Sequence, residues 1–311
     1  MSTPPKNIQA SIHQRLLNAS KQSGRAFNDV VMYYAIERFL FRLAQSRHND
    51  QVVLKGGLLL RVWDTPATRV TRDIDLLGQL SNDPAQIREL VAELCQAEVQ
   101  EDGLFFDPQS VTTTLIAEDA DYQGVRANFR GQFGKMPLAM QIDFGFSDVV
   151  TPHPEAITYP SVLGFPAAQL RAYNRETVIA EKFEAMVKLG ELNSRMKDFF
   201  DVYVLARHFA FEGPALASAI ESTFARRETP IESQPVCFSD AFCANPSKAQ
   251  QWKGFRKTSR VDQVPSDFRE IVPFVADFLG PIATALADDQ PFTSRWTAGG
   301  PWSPADAAKG D

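Results

Sequence analysis

Cysteine is scarce in this chain of 311 residues: Cys95, Cys237 and Cys243 are the only three, and no two of them form a CxxC pair. That argues against a disulfide framework, and four scattered histidines (His13, His48, His153, His208) argue equally against a zinc site. Long hydrophobic runs are missing as well. No stretch of about 18 uninterrupted apolar residues occurs, and the opening MSTPPKNIQASIHQ lacks the charged-then-apolar order of a signal peptide. The expectation is a cytoplasmic protein with no membrane contact. Basic residues are outnumbered, 32 Lys and Arg against 38 Asp and Glu, and a net charge of -6 does not suit a protein that coats nucleic acid nonspecifically. Only a local basic patch would serve. Internal repeats and low-complexity segments are absent too. What remains, 44% hydrophobic and 23% charged, is enough for one large domain or two smaller ones with cores of their own.

The apolar periodicity predicts two helices before the first strand. Ile8, Ile12, Leu16 and Leu17 make one stripe, and Val30, Tyr33, Tyr34, Phe41 and Leu43 make the next. QVVLKGG reads as a strand stopping at a Gly pair, and TRDIDLLG as a second strand. A helix opening at Asn82 or Asp83 beside Pro84 follows, with Ile87, Leu90, Val91 and Leu94 on one side. Between Val111 and Phe146 the period becomes two, and VRANFRGQF and PLAMQIDFGF flank Gly134-Lys135-Met136-Pro137 as arms of a hairpin. Leu138, Met140, Ile142, Phe144 and Phe146 then share one face, with Gln141 and Asp143 on the other. The proline-rich TPHPEAITYPSVLGFPAAQ is expected to be an exposed crossing at the domain junction. Beyond it RETVIAEKFEAMVKLG, SRMKDFFDVYVLARHF, residues 213–227 and residues 267–287 read as helices, and residues 291–311 as a frayed tail.

Three groups of residues could carry chemistry. Asp73 and Asp75 are two apart on a strand, so both carboxylates project to one side and repel unless a cation lies between them. Hard divalent ions such as Mg2+ take such oxygen ligands, and Asp143 on a neighbouring strand is a plausible third. A surface pairing of Asp73 with Arg69 or Arg72 is the plainer alternative. Lys55, Gly56 and Gly57 form a strand-end turn whose amides could approach phosphate without a Cβ in the way, or simply a tight turn into a helix. The second group is Lys182 with Lys197, Asp198 and Asp201. Lys182 stands at the border of an apolar face and needs an anion, either phosphate or Asp198 itself as a structural salt bridge. The third is KAQQWKGFRKTSR, residues 248–260, five basic residues with Trp252 and Phe255 and no acid. Lys253, Arg256, Lys257 and Arg260 would suit an RNA backbone and Trp252 a stacked base, unless the segment is only a solvated face.

With these residues in order, VVLKGGLLLRVW, TRDIDLLG, MQIDFGF, RETVIAEKFEAMV and SRMKDFFDVYVLAR resemble the AbiEii/AbiGii-type nucleotidyltransferase toxins, a branch of the polymerase-beta-like nucleotidyltransferases, over roughly residues 10 to 280. The resemblance implies an α+β fold: a nucleotidyltransferase core with a mixed sheet, then a mostly helical C-terminal domain. The corresponding division is 1–155 for the sheet domain with its N-terminal helices, 156–290 for a helical domain that completes the active site, and 291–311 for a tail. It also implies Mg2+, two ions with Mn2+ as a substitute, held by Asp73, Asp75 and Asp143. Lys55, Gly56, Gly57, Lys182 and Asp201 would bind nucleotide, with Lys182 and Asp198 among the catalytic residues. The wider superfamily commonly has Gly-Ser at the turn, whereas here Leu58 follows Gly57, leaving backbone amides to meet the phosphate. The implied activity is transfer of a nucleotide from an NTP to a hydroxyl, foremost the 3′ acceptor end of tRNA, under control of an antitoxin protein. A protein or small-molecule acceptor, or a non-catalytic nucleotide sensor, are the alternatives.

Overall fold

The computed structural model describes residues 8–65, 69–119 and 122–304, and the chain divides into two compact units. The first holds the residues up to Val62, Val70–Ser147 and Glu155–Ala172; the second holds Trp63–Arg69, Asp148–Pro154 and the residues from Tyr173 on. Around the junction expected at residue 155 the chain changes unit more than once, with Asp148–Pro154 in the second unit and Glu155–Ala172 in the first. Pro160 and Pro166 interrupt the proline-rich crossing only between two short arms, which remain free to pair and so extend the first unit.

In the first unit α1 (Ile8–Ser23) and α2 (Phe27–Ala44) precede β1 (Val52–Lys55), and α3 (Leu59–Val62) follows it. Then come β2 (Asp73–Gly78), α4 (Pro84–Cys95), β3 (Leu104–Asp119), β4 (Tyr122–Phe133), β5 (Met136–Gly145), β6 (Glu155–Thr158) and β7 (Gln169–Ala172). The seven strands form one mixed sheet in the order β3-β4-β5-β2-β1-β7-β6, with β2 parallel to β5 and antiparallel to β1. Helix α4 starts as its sequence requires: the Asp83 carboxylate accepts from the Ala85 amide at 2.9 Å, with Pro84 in the first turn. Its Ile87, Leu90, Val91 and Leu94 are buried. Phe39 of α2 packs on Phe106 of β3 and Phe129 of β4, with ring centroids 5.3 and 4.8 Å apart, so the apolar faces of helix and sheet close one core. The hairpin between β4 and β5 is tighter than expected. Met136 pairs with Phe133, and only Gly134, at φ +59°, and Lys135 remain in the turn.

The second unit is mostly helical. It contains α5 (Arg175–Leu189), α6 (Met196–His208), α7 (Gly213–Arg226), α8 (Asp240–Cys243), α9 (Pro246–Ser259) and α10 (Phe268–Ala287), together with the two-residue strands β8 (Phe211–Glu212), β9 (Arg295–Trp296) and β10 (Trp302–Ser303). Asn174 caps α5 by accepting from the Thr177 amide at 2.8 Å, while its own amide donates to Thr151. α10 is long and apolar enough to cross a membrane by length and composition, but Ile271, Val275, Phe278, Leu279 and Ile282 are buried within the unit as in a core helix. All three cysteines are free, and burial pushes the Cys95 and Cys237 thiols up to about 12.

Up to residue 304 the expected tail does not fray; residues 305–311 lie outside the described residues. β8, β9 and β10 form a small antiparallel sheet, and Trp296, 2% exposed, donates from Nε1 to the Ala206 carbonyl at 2.7 Å. Its ring and that of Trp302 lie against Phe278 of α10 at 4.9 and 5.7 Å. The Pro, Gly and Ala content suggested disorder, but a few large aromatics contribute enough burial to order the segment. Trp296→Ala is expected to cost about 3 to 5 kcal/mol in urea denaturation, and a loss below about 1 kcal/mol would show that the segment is not integral to the unit.

Candidate active site

The first unit gathers its charged residues through strand register. In β2 the apolar Ile74 and Leu76 are buried, while Asp73 is exposed and Asp75 half-buried. The alternation continues in β5, where Leu138, Met140, Ile142 and Phe144 are buried. Because β2 and β5 run in register, Asp73 stands beside Gln141 and Asp75 beside Asp143. Lys55 of β1 is opposite Asp75, and Arg126 of β4 is opposite Asp143. Lys55, Asp75, Asp143 and Arg126 thus form one row across four adjacent strands, on the face away from the apolar layer.

At the end of β1 the chain turns sharply through Gly56, whose φ is +75°. A Cβ on Gly56 would stand 2.0 Å from Oδ2 of Asp75, so the turn lies directly against the carboxylate and only glycine fits. Gly57 is buried beside it, and Leu58 turns into the core. The hard oxygen set of Asp73 and Asp75, with a glycine backbone pressed close, fits a divalent cation next to phosphate.

Asp143 is placed differently from the expectation. Arg126 grips its carboxylate in a fork, Nε to Oδ1 and Nη2 to Oδ2, both at 2.8 Å, and Gln141 Nε2 donates to the same oxygens at 3.3 and 3.2 Å. Among the described residues no group of three His, Cys, Asp or Glu side chains is arranged to hold a metal ion. Arg126 went unnoticed in the sequence, although counting back from a two-residue turn at Gly134-Lys135 pairs it with Asp143. Arg72 pairs with Asp29 at 3.1 Å, and Arg69 forms a fork on Asp201 at 2.9 and 3.0 Å.

The second unit holds the other acidic pair. Asp198 and Asp201, three apart on α6, are fully buried, and Lys182 of α5 reaches both, with Nζ 3.0 Å from Asp198 Oδ1 and 2.7 Å from Asp201 Oδ2. Arg195 lies 2.6 Å from Asp198 Oδ2. Lys182 is thus a structural partner of both acids, and Arg195 and Arg69 complete the cluster around them. Arg69, distant in sequence, is the member that sequence reading assigned elsewhere. Burial opposes every charge here, but Asp201 and Asp198 outweigh it and hold the Lys182 pKa above the ordinary value. Burial likewise works against the Asp201 carboxylate, and Arg69 and Lys182 reverse it, bringing the pKa down to about 2.

On α9, Lys253 and Lys257 are exposed and Arg256 half-buried, and Arg260, capping its end, is exposed. Trp252 is not available for stacking on a base. It is 0% exposed, packs on Phe255 and Phe268 at 5.5 Å, and donates from Nε1 to the Pro265 carbonyl. Lys248 is buried as well, donating to the carbonyls of Glu191 and Asn193 at 2.7 and 2.6 Å. At helical spacing Trp252 faces the core, whereas Lys253 and Lys257 face water.

The family described as nucleotidyl transferase AbiEii toxin, type IV TA system, matches residues 38–272, most of the chain. The chain belongs to this family. It is accordingly a nucleotidyltransferase of a toxin-antitoxin system, with a nucleotide as substrate and an antitoxin among its partners. No curated protein matches it. Among solved structures it is similar to JHP933 from Helicobacter pylori, at 16% identity and a TM-score of 0.46 over 90% of this chain and 93% of that one. It is also similar to the nucleotidyltransferase toxin MenT4 from Mycobacterium tuberculosis, at 14% identity and 0.48 over 90% and 98%.

The depressed Asp201 pKa has a definite sign. A carboxylate held below its unfolded value of 3.8 stabilises the fold at neutral pH, and this contribution is lost as pH falls from there towards 2. Thermal melts between pH 6 and pH 2 should show the AbiEii-family parent losing stability more steeply in that window than Asp201→Asn. Lys182→Met, which strands two buried carboxylates, is expected to cost about 3 to 5 kcal/mol; a neutral effect in urea denaturation would mean that Arg69 and Arg195 suffice for the pair.

Proposed function

We propose that this AbiEii-family enzyme transfers a nucleoside monophosphate from an NTP to a hydroxyl, with Mg2+ as cofactor and the 3′ acceptor end of tRNA as the favoured acceptor. The observation that carries the reading is the pair Asp73 and Asp75 on one side of β2, with the Gly56 turn pressed against Asp75. Asp73 and Asp75 would hold the metal. Bound there, Mg2+ supplies charge neutralisation of the triphosphate and of the pentavalent transition state.

The chain's own residues do the rest. Amides at Gly56 and Gly57 receive phosphate oxygens, and Lys55, on the flank of the acid pair, balances their charge. The family resemblance gives Lys182 a contact with the nucleotide. A hydroxyl oxygen forms the new bond to the α-phosphorus, the bond to the bridging oxygen breaks, pyrophosphate leaves with the electron pair, and the hydroxyl proton passes to water. Capping the acceptor end of tRNA in this way would stop aminoacylation, and so translation and growth.

Exposed Lys253, Lys257 and Arg260, with Arg256, are the RNA-binding residues in this reading, supported by a segment without acid in an acidic protein. Incubation of the purified protein with each labelled NTP, Mg2+ and total tRNA tests it. Label in RNA supports the proposal, label in protein or a small molecule redirects it to another acceptor, and binding without transfer makes the chain a nucleotide sensor.

Asp73→Asn and Asp75→Asn are each expected to abolish transfer with the fold intact, since they keep volume and remove a charge from a crowded acidic site. Activity within a few-fold of the parent at saturating Mg2+ removes the metal role from that residue. Replacing Lys253, Arg256, Lys257 and Arg260 together by Ser should flatten the slope of log RNA affinity against log salt, by about 0.7 to 0.9 for each phosphate no longer neutralised, and spare NTP affinity. An unchanged slope would make α9 a solvated face.

A further inference from the structure

Asp143 is the third carboxylate of the acidic row, yet its surroundings are those of an acid already in use. The Arg126 fork and the two Gln141 hydrogen bonds engage both of its oxygens, and the side chain is 15% exposed. A metal ion would have to displace a charge-assisted, bidentate pair to gain it. Arg126 is the more open partner, 39% exposed, and its fork uses Nε and Nη2, with Nη1 outside it. Asp73 and Asp75 both act electrostatically on the same guanidinium, so it stands at the acid row and not at a distance. Lys55 and Arg126 thus flank the two remaining carboxylates from opposite sides. A planar guanidinium held by one carboxylate and open on its outer edge is shaped to take phosphate oxygens, which a lysine cannot fork.

We propose that Arg126 binds the triphosphate of the incoming nucleotide, and that Asp143 is the positioning residue that aims it and is not a metal ligand. This rests on the nucleotidyltransferase reading above, but its test does not depend on turnover or on the metal. Calorimetric titration with tripolyphosphate in chelator-containing buffer reads the phosphate interaction irrespective of base. Binding of Mn2+, followed by electron paramagnetic resonance, reads the metal ligands.

Arg126→Ala is expected to weaken tripolyphosphate binding about tenfold, the worth of one charge-assisted pair. Arg126→Lys should recover only part of it, and Asp143→Asn should lose affinity in the same direction. Asp143→Asn should keep Mn2+ affinity within about twofold of the parent, whereas Asp75→Asn should lose it. Unchanged tripolyphosphate affinity in Arg126→Ala overturns the proposal, and so does loss of Mn2+ in Asp143→Asn to the extent seen in Asp75→Asn. If Arg126→Ala does not fold, by near-ultraviolet circular dichroism, Arg126→Gln decides by the same titration. Retention of Mn2+ by Asp75→Asn would instead overturn the metal reading of that residue, leaving the part of Arg126 to be decided by tripolyphosphate.

Discussion

The in-register parallel pairing of β2 with β5 is the constraint on which the candidate site depends. Ile74 and Ile142 are neighbours in that pairing and both are buried, so Asp75 and Asp143 must emerge together on the other face. A slip of one residue would send the acids into the apolar layer, where an unpaired carboxylate is far too costly to survive. The antiparallel partners on either side then bring Lys55 and Arg126 to the ends of the row. Burial of methyl groups on one side of the sheet thereby sets the spacing of charges on the other.

The two units handle charge in opposite ways. On the sheet of the first unit the carboxylates stand at an accessible face, close enough to repel, and Asp73 stays exposed. Carboxylates so placed repel one another, and nearby positive charge relieves the repulsion. In the second unit Asp198 and Asp201 are sealed in, and Lys182, Arg69 and Arg195 hold them ionised. Burying so many ions is worthwhile only when geometry is kept, because removing one member leaves another uncompensated. Lys182, at 3.0 and 2.7 Å from the two acids, is a structural member of this arrangement.

Much of this protein is legible in its sequence. Helical and strand periods located both N-terminal helices, the Gly-Gly turn, β2, α4, the hairpin arms and the long helices of the second unit, because amphipathic burial is a local pattern. The order of the motifs carried the family, and Asp73 and Asp75 were assigned to one face by the two-residue period of a strand alone. Where composition stood in for pattern, the reading failed. Pro, Gly and Ala suggested a frayed end, whereas Trp296 and Trp302 bury that segment against α10; a basic stretch suggested base stacking, whereas Trp252 belongs to the core.

What the sequence by itself determined is which residues alternate, which are amphipathic and which acids share a face, since these depend on neighbours a few positions away. Tertiary structure alone decided the partners. Arg126 reaches Asp143 only through the register of a two-residue turn, Arg69 reaches Asp201 across 132 positions, and residues 155–172 join the first sheet although their prolines read as a linker. Ion pairs of this kind have no period and no composition. Their energy falls off with distance in space, and distance in space between remote segments exists only once the chain has folded.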